Sequence, residues 1–453
     1  MGKLFGTDGI RGIAGEELTA ELAFRLGLAV SKVLTGQENK KTRVIIGKDT
    51  RLSGDMFEAA ITAGLCAMGS DVYLVGVVPT PAVAFLVREI EADAGIMISA
   101  SHNPSEYNGI KVFGAEGYKL SDALEEKVEE LILSQNEPNL CRCGSIGRVI
   151  TGSNLLEKYE RHLISVLENT KDVPKRRILF DLSNGSASST AKYVFSSEHT
   201  GGYECDFIAY DPDGININRN CGSTQMNALC RYVVDGGYDI GIAFDGDADR
   251  CLMCDENGKI IDGDMIISAF AVDMKKKGKL DGNTAVVTKL TNLGFHQLMK
   301  KERIQVTSTD VGDRYVLEEM LRSGAVIGGE QSGHIILRRF ATTGDGQITA
   351  AVALNMLAAY PELTASEIFE KMERLPQVSV NVTVPQNKKK EVMESSGVIA
   401  KKLQIENLLG ERGRILLRPS GTEALIRIML EGNDTAELNC YAEELKAIIE
   451  EIL

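Results

Sequence analysis

Short apolar runs alternate with longer stretches of helical spacing along most of the chain. Arg43-Val44-Ile45-Ile46-Gly47, Ala94-Gly95-Ile96-Met97-Ile98, Arg177-Ile178-Leu179-Phe180 and Asp239-Ile240-Gly241-Ile242-Ala243-Phe244 have strand length and little polar interruption, which predicts strands buried on both faces. Each ends in small or polar residues, where open α/β sheets present their binding groups. Between them Leu22, Leu26, Ala29, Val30 and Val33 form one helical stripe. Leu124, Val128, Leu131 and Ile132 form another behind Asp122, the predicted N-cap, and Leu445, Ile448, Ile449 and Ile452 form a C-terminal one. Val72 to Val87, interrupted by Pro79 and Pro81, reads as a buried strand and turn. After Leu375-Pro376 the pattern changes to alternating Val378, Val380, Val382 and Val384, then Pro385 and Lys388-Lys389-Lys390. Breaks at 134–153, near Asp255–Gly258 and at Pro376 divide the chain into 1–150, 151–254, 255–373 and 374–453. A strand followed by Asp recurs at Asp49, Asp181 and Asp245.

With 453 residues the chain would hold about three domains at ~150 residues each; the breaks in pattern favour four. An apolar content of 43% with 25% charged residues excludes disordered and fibrous classes. The net charge of −14 repels phosphate backbones at long range, so nucleic acid is not an expected partner. Met1–Gly6 lacks the apolar core of a signal peptide, and no apolar stretch is long enough to span a bilayer. The expectation is a cytoplasmic protein without membrane attachment. Nine scattered cysteines fit free thiols, and Cys251-x-x-Cys254 lacks the second pair of a zinc site.

Candidate chemistry concentrates in four loops. Asp245-Gly246-Asp247-Ala248-Asp249-Arg250 directly follows a predicted strand. In extended backbone, residues two apart face the same way at ~7 Å, so three carboxylates would converge there. Such a cluster calls for a positive partner, and a hard divalent cation such as Mg²⁺ suits it. An EF-hand is excluded because Arg250 stands where that loop needs Gly. Ser99-Ala100-Ser101-His102-Asn103-Pro104 offers Ser101 as a nucleophile, without the GxSxG elbow of a hydrolase. Gly328-Gly329-Glu330-Gln331-Ser332-Gly333-His334 carries groups able to bind sugar hydroxyls. Arg418-Pro419-Ser420-Gly421-Thr422-Glu423, followed by Arg427, makes an oxyanion cradle. Neither a P-loop nor a dinucleotide fingerprint is present. Phosphate-binding features without nucleotide machinery suggest transfer between sugar phosphates, or hydrolysis of one.

These loops, in this order and with GTDGIRG, NGIKVF, VGDRYVLEEM and TTGDG between them, resemble the α-D-phosphohexomutase superfamily over nearly the whole chain. The resemblance implies four domains around a central cleft, three related α/β units with mixed sheets and a smaller C-terminal α+β domain. It implies that Ser101 bears a phosphoryl group and completes a Mg²⁺ site with Asp245, Asp247 and Asp249. Lys111 matches a general acid/base; Arg11, Arg250 and His334 match residues lining the active site. Glu330 and Ser332 match contacts to sugar hydroxyls, and Arg418, Ser420, Gly421, Thr422 and Arg427 match the loop that holds the non-reacting phosphate. Nearby positive charge should depress the lysine pKa from its usual ~10.4. Ala424 stands where Pro is usual, and Ala248 where Gly is often seen; a methyl group at 248 is tolerated unless φ > 0 is required.

The motif spelling implies interconversion of glucosamine 6-phosphate and glucosamine 1-phosphate through a hexosamine 1,6-bisphosphate, ahead of UDP-N-acetylglucosamine and peptidoglycan synthesis. The expected partner is a small sugar phosphate, and a homodimer is the assembly entertained. The alternatives are a phosphoglucomutase/phosphomannomutase of the same superfamily, told apart by turnover of the three hexose phosphates; a Mg²⁺-dependent phosphatase, told apart by release of inorganic phosphate; and a sugar-phosphate-binding regulator without turnover.

Overall fold

A computed structural model describes residues 4–6, 8–35, 41–134, 139–167, 174–420 and 424–453. The chain separates into two compact units, one of Met1–Leu290 with Ile304–Lys371 and one of Thr291–Arg303 with Met372–Leu453.

The first unit contains three mixed sheets built on one plan. Strands β1 (Ile10–Ile13), β2 (Arg43–Lys48), β3 (Asp71–Val77), β4 (Ala94–Ile98), β5 (Tyr107–Gly114) and β6 (Val149–Thr151) lie in the order β1-β5-β4-β2-β3-β6. Strands β7 (Arg176–Asp181), β8 (Tyr203–Ile208), β9 (Ile240–Phe244), β10 (Cys251–Asp255) and β11 (Ile260–Ile261) lie in the order β11-β10-β9-β7-β8. The third sheet, β13-β12-β14-β15, uses β12 (Thr284–Thr288), β13 (Gln305–Thr309), β14 (Ile327–Gly329) and β15 (Ile335–Leu337). In each, parallel inner strands are followed by an antiparallel hairpin: β4–β5, β9–β10 and β14–β15. The three hairpin connections carry Ser101, the aspartates at 245, 247 and 249, and the 330–334 segment respectively.

The first sheet shows why its strands read as continuous apolar runs. Val44, Ile46, Ala94, Ile96 and Ile98 face one side, packed with Leu26, Val30, Phe57, Ile61 and Val128 from the helices Ala20–Thr35, Gly54–Ala67 and Asp122–Leu133. Residues one position along face the other side, where Gly47 and Gly95 leave room for Val83 and Val87 of the helix Thr80–Glu89. Burial on both faces removes the polar alternation that a half-exposed strand would show. The helices Ala20–Thr35 and Gly54–Ala67 cross at Gly27 and Gly64, where a Cβ on either would meet backbone atoms of the other helix within 2.5 Å.

The second unit holds an antiparallel sheet β16-β18-β17 formed by β16 (Gln377–Thr383), β17 (Arg414–Pro419) and β18 (Leu425–Glu431). The alternating valines resolve as expected: Val378 and Val382 enter a core with Ile415, Ile426, Ile428, Leu438, Leu445 and Ile449, while Ser379, Asn381 and Thr383 are exposed. No helix among the described residues is long and apolar enough to cross a membrane.

Three sequence expectations change. Only Asp71–Val77 of the 72–87 stretch is a strand; Thr80–Glu89 is a helix, because proline at the first helical positions starts a helix rather than a turn. Ser121, not Asp122, precedes the Asp122–Leu133 helix, and Asp122 is its first residue, where its charge suits the helix dipole. The loosely patterned 134–153 stretch includes β6, which pairs with β3.

Candidate active site

The seryl and aspartyl loops come together. Ser101 Oγ donates to Asp245 Oδ2 at 2.6 Å, and both residues are buried. The serine follows β4 with φ +51°, a left-handed conformation uncommon for a side-chain-bearing residue. Asp245, Asp247 and Asp249 lie in the six-residue connection between Phe244 and Cys251, which pair across β9 and β10. One oxygen from each carboxylate falls within 4.8 Å of the others. Convergence therefore comes from a tight loop rather than from extended backbone. Its turn is closed by the Ala248 N–H on the Asp245 carbonyl, with Ala248 at φ +56°. The position does require φ > 0, so alanine carries a cost of about 1 kcal/mol there that glycine would avoid.

The donor set fits a hard cation. Asp247 Oδ1 and Asp249 Oδ1 are buried and accept no hydrogen bond, an arrangement that native proteins rarely leave without a partner. Burial, with Asp249 and Asp247 beside it, pushes the Asp245 carboxyl well above its usual range. A divalent ion on these oxygens would offset that repulsion.

Lys111, on β5 opposite Met97, reaches the same cluster. Its Nζ lies 2.9 Å from Asp247 Oδ2, 3.0 Å from Asp8 Oδ2 and 3.3 Å from Asp249 Oδ2. The sequence suggested a depressed lysine pKa. Burial does pull in that direction, but the three carboxylates outweigh it and hold Lys111 well above the ordinary lysine value. Thr80, at the start of its helix, donates its hydroxyl to Asp247 Oδ2 at 2.6 Å and its N–H to the Asp247 carbonyl at 2.9 Å.

Three charged residues that sequence reasoning left without a role join these. Asp8 accepts from Arg11 and Lys119, and Lys119 Nζ also donates to Asp313 Oδ2 at 2.6 Å. His334 stands between Asp313 Oδ2 and Asp249 Oδ2, with 3.6 Å to each. Burial disfavours a charged His334, yet Asp249 and Asp313 raise its pKa. The contacts Asp249–His334–Asp313–Lys119–Asp8–Lys111 return to Asp249 as a closed ring, and His334 Nε2 also accepts the Gly344 N–H at 3.1 Å. Asp8 and Asp313 sit inside GTDGIRG and VGDRYV, which is the signal that could have marked them; Lys119 has none.

Arg250 donates its backbone N–H to Asp245 Oδ1 at 3.1 Å, and its guanidinium lies over Asp249. His102 is pushed down to about 4 by burial and by Arg250 and Arg11, so it is neutral beside Ser101 Oγ, 3.3 Å away. Glu330 Oε1 accepts the Gly312 N–H at 3.1 Å, and Ser332 Oγ lies 3.5 Å from Glu330 Oε2. Both are half-buried at the hairpin connection that also places His334.

In the second unit, Arg418 and Arg427 are directly opposed across β17 and β18. Burial and the neighbouring Arg427 lower the Arg418 pKa, as two like charges held close would. Lys389, buried within the lysine run, donates to the Ser420 carbonyl at 2.6 Å. Two opposed guanidiniums at one hairpin end have the chemistry to hold an anion. Gly421 and Thr422 lie outside the described residues. Ala424 is exposed, and its carbonyl accepts the Val384 N–H.

Known proteins match this arrangement along its length. Models of the phosphoglucomutase/phosphomannomutase family match residues 2–139 (alpha/beta/alpha domain I), 157–258 (domain II), 262–375 (domain III) and 380–448 (C-terminal domain). Phosphoglucosamine mutase of Acetivibrio thermocellus is 46% identical over 100% of both chains, and that of Caldicellulosiruptor bescii 49% identical over 99% of both. Among solved structures, a phosphoglucomutase/phosphomannomutase family protein from Burkholderia thailandensis superposes with a TM-score of 0.82 at 22% identity, covering 99% of this chain and 97% of that one. Aspergillus fumigatus N-acetylphosphoglucosamine mutase, in complex with GlcNAc-6P and magnesium, shares the fold at a TM-score of 0.65 and 17% identity, over 99% and 95% of the two chains. With family models along nearly all of its length and relatives near half identity from end to end, the chain belongs to the phosphoglucosamine mutase family of the phosphohexomutases.

Proposed function

We propose that the chain interconverts glucosamine 6-phosphate and glucosamine 1-phosphate, with Ser101 as the phosphoryl carrier and glucosamine 1,6-bisphosphate as the intermediate. The observation that carries this reading is the seat of Ser101 Oγ on Asp245, beside two further buried aspartates with unpartnered oxygens. The near-full-length identity to phosphoglucosamine mutases supports the substrate assignment. In this reading the reaction runs in the cytoplasm, and its product feeds UDP-N-acetylglucosamine and peptidoglycan synthesis.

A sugar hydroxyl oxygen attacks the phosphorus held on Ser101; the new O–P bond forms as the Oγ–P bond breaks, the hydroxyl proton leaves the sugar oxygen and the released Ser101 Oγ takes up a proton. In this reading Lys111, held as an ammonium by its three carboxylates, is the acid/base that relays it, giving up one proton as it takes the other. Phosphoryl transfer depends on alignment and charge stabilisation more than on covalent help; Arg11 and Arg250 supply the fixed positive charge, and His334 lines the same site. Asp245, Asp247, Asp249 and Ser101 would hold Mg²⁺, a hard ion suited to all-oxygen donors, which when bound polarises the transferred group. Glu330 and Ser332 bind sugar hydroxyls; Glu330 enters already oriented by the Gly312 N–H. Arg418, Ser420, Gly421, Thr422 and Arg427 hold the phosphate that is not reacting. The domains that carry these loops are assigned as 1–150, 151–254, 255–373 and 374–453.

Phosphorus NMR of the enzyme with Mg²⁺ and glucosamine 6-phosphate, run in parallel with glucose 6-phosphate and mannose 6-phosphate, tests this. The amino sugar is expected to turn over fastest, with glucosamine 1-phosphate as product. A faster rate on glucose or mannose phosphate would reassign the substrate, and inorganic phosphate as the main product would make the protein a phosphatase. Arg418→Ala should raise KM by roughly 10–100-fold, the worth of a charge-assisted phosphate contact, with a smaller effect on kcat. An unchanged KM would remove Arg418 from phosphate binding.

A further inference from the structure

Two of the three strand-end aspartates, Asp49 and Asp181, take no part in the metal cluster. Asp49 is buried and accepts from Arg51 Nε at 2.9 Å, from the Arg51 N–H at 3.0 Å and from Ser99 Oγ at 2.6 Å. The Arg51 side chain is fully buried, and the other three hydrogen bonds of its guanidinium go to one short segment. Nη2 reaches the Ser101 carbonyl at 2.9 Å and the Asn103 carbonyl at 2.8 Å, and Nη1 reaches the Pro104 carbonyl. From the second sheet's side, Asn218 Nδ2 donates to the same Ser101 carbonyl at 2.9 Å and to that of Asn103 at 3.2 Å. Asp181 serves Asn218 as Asp49 serves Arg51. It accepts the Ser183 and Gly222 N–H groups, and the Ser183 carbonyl takes the Asn218 N–H at 2.8 Å.

The main chain of Ser101 is therefore gripped on both sides. Its N–H donates to Ser99 Oγ at 2.9 Å, its carbonyl accepts from Arg51 and Asn218, and Gly246 packs so closely that a Cβ there would sit 2.5 Å from that carbonyl oxygen. A serine at φ +51° keeps that conformation only where its surroundings enforce it. Neither Arg51 nor Asn218 donates to Ser101 Oγ. We infer that Arg51 and Asn218 are positioning residues for the phosphoryl-transfer step, acting together on the Ser101 carbonyl to hold Oγ in line with the aspartate cluster. This rests on the reading of Ser101 as the phosphoryl carrier.

Arg51→Lys and Asn218→Gly test the clamp. Lysine keeps the charge next to Asp49 but cannot span three carbonyls; glycine removes the Asn218 donor while suiting its φ of +58°. Loss of alignment on the ångström scale costs on the order of 100-fold in rate. Each variant should therefore lower kcat by roughly 10–100-fold and slow phosphoryl uptake onto Ser101 from glucosamine 1,6-bisphosphate to match, read by intact-protein mass. KM for glucosamine 6-phosphate should stay within about twofold, because no donor to the sugar or the distant phosphate is removed. The double variant should lose less than the product of the two single effects, since both act through one carbonyl. If Arg51→Lys does not fold, Asn218→Gly alone decides. Folded variants that match wild type in kcat and in Ser101 phosphorylation would overturn the clamp while leaving the serine's role intact. Wild type that takes up no phosphoryl group on Ser101 would overturn the functional reading beneath it, and the clamp's purpose with it.

Discussion

Ser101→Ala is expected to reduce mutase turnover by roughly 10⁴-fold or more, because it removes the atom proposed to carry the phosphoryl group between the two halves of the reaction. The substitution deletes a single oxygen from a fully enclosed position. The alanine inherits the left-handed backbone, and the N–H bond to Ser99 and the carbonyl bonds to Arg51 and Asn218 persist. What is lost is the hydrogen bond to Asp245 Oδ2 and the longer contact with His102 Nδ1. A folded protein with an unchanged thermal midpoint should result, inactive and unable to gain 80 Da-scale mass from a sugar bisphosphate. Turnover near the wild-type rate in that protein would show that another nucleophile carries the phosphoryl group.

Asp247→Asn should weaken Mg²⁺ dependence and activity together. Outer-sphere partners of metal ligands typically cost 10–100-fold when removed, and a ligand should cost no less, so the expected loss is roughly 100-fold or more. The asparagine amide keeps one oxygen, but the substitution removes the charge that faces Lys111 Nζ at 2.9 Å and leaves a single oxygen where a cation and the Thr80 hydroxyl, now 2.6 Å from Oδ2, would draw on two. Titrating Mg²⁺ against turnover, with calorimetry of metal binding in parallel, separates loss of affinity from loss of rate at saturation. A variant whose titration overlays wild type would take Asp247 out of the metal site.

The parts of the fold visible in the sequence were those with a local pattern. β2, β4, β7 and β9 announce themselves as apolar runs because both faces are covered, and β16 announces itself through alternation because only one face is. The helix Gly346–Ala359 gives no amphipathic signal: from Gly346 to Leu357 it is buried nearly all round, so no polar face marks its period. The helix Thr80–Glu89 hid behind two prolines.

The same distinction separates the site residues. Three aspartates within five positions are conspicuous, although the loop that gathers them bends in a way extended-strand reasoning did not anticipate. Lys119 and Asp313 are ordinary charges 194 positions apart, and only folding makes them partners. Arg51 lies 50 positions before the serine it holds. The direction of the Lys111 shift depends on which charges surround it, a property of the assembled structure rather than of any segment.

The closed ring of contacts around Asp8, Lys111 and Lys119 also bears on how the protein could be divided. Two lysines stand against three aspartates around it, and the domains hold unlike shares: Asp8, Lys111 and Lys119 (net +1) come from the first sheet's domain, Asp249 (−1) from the second and Asp313 (−1), beside His334, from the third. An excised fragment would expose or strand charge that the intact chain cancels internally, and stranded buried charge is costly. The three α/β modules, although each has its own sheet, are bound to a common electrostatic account and should survive only as an ensemble.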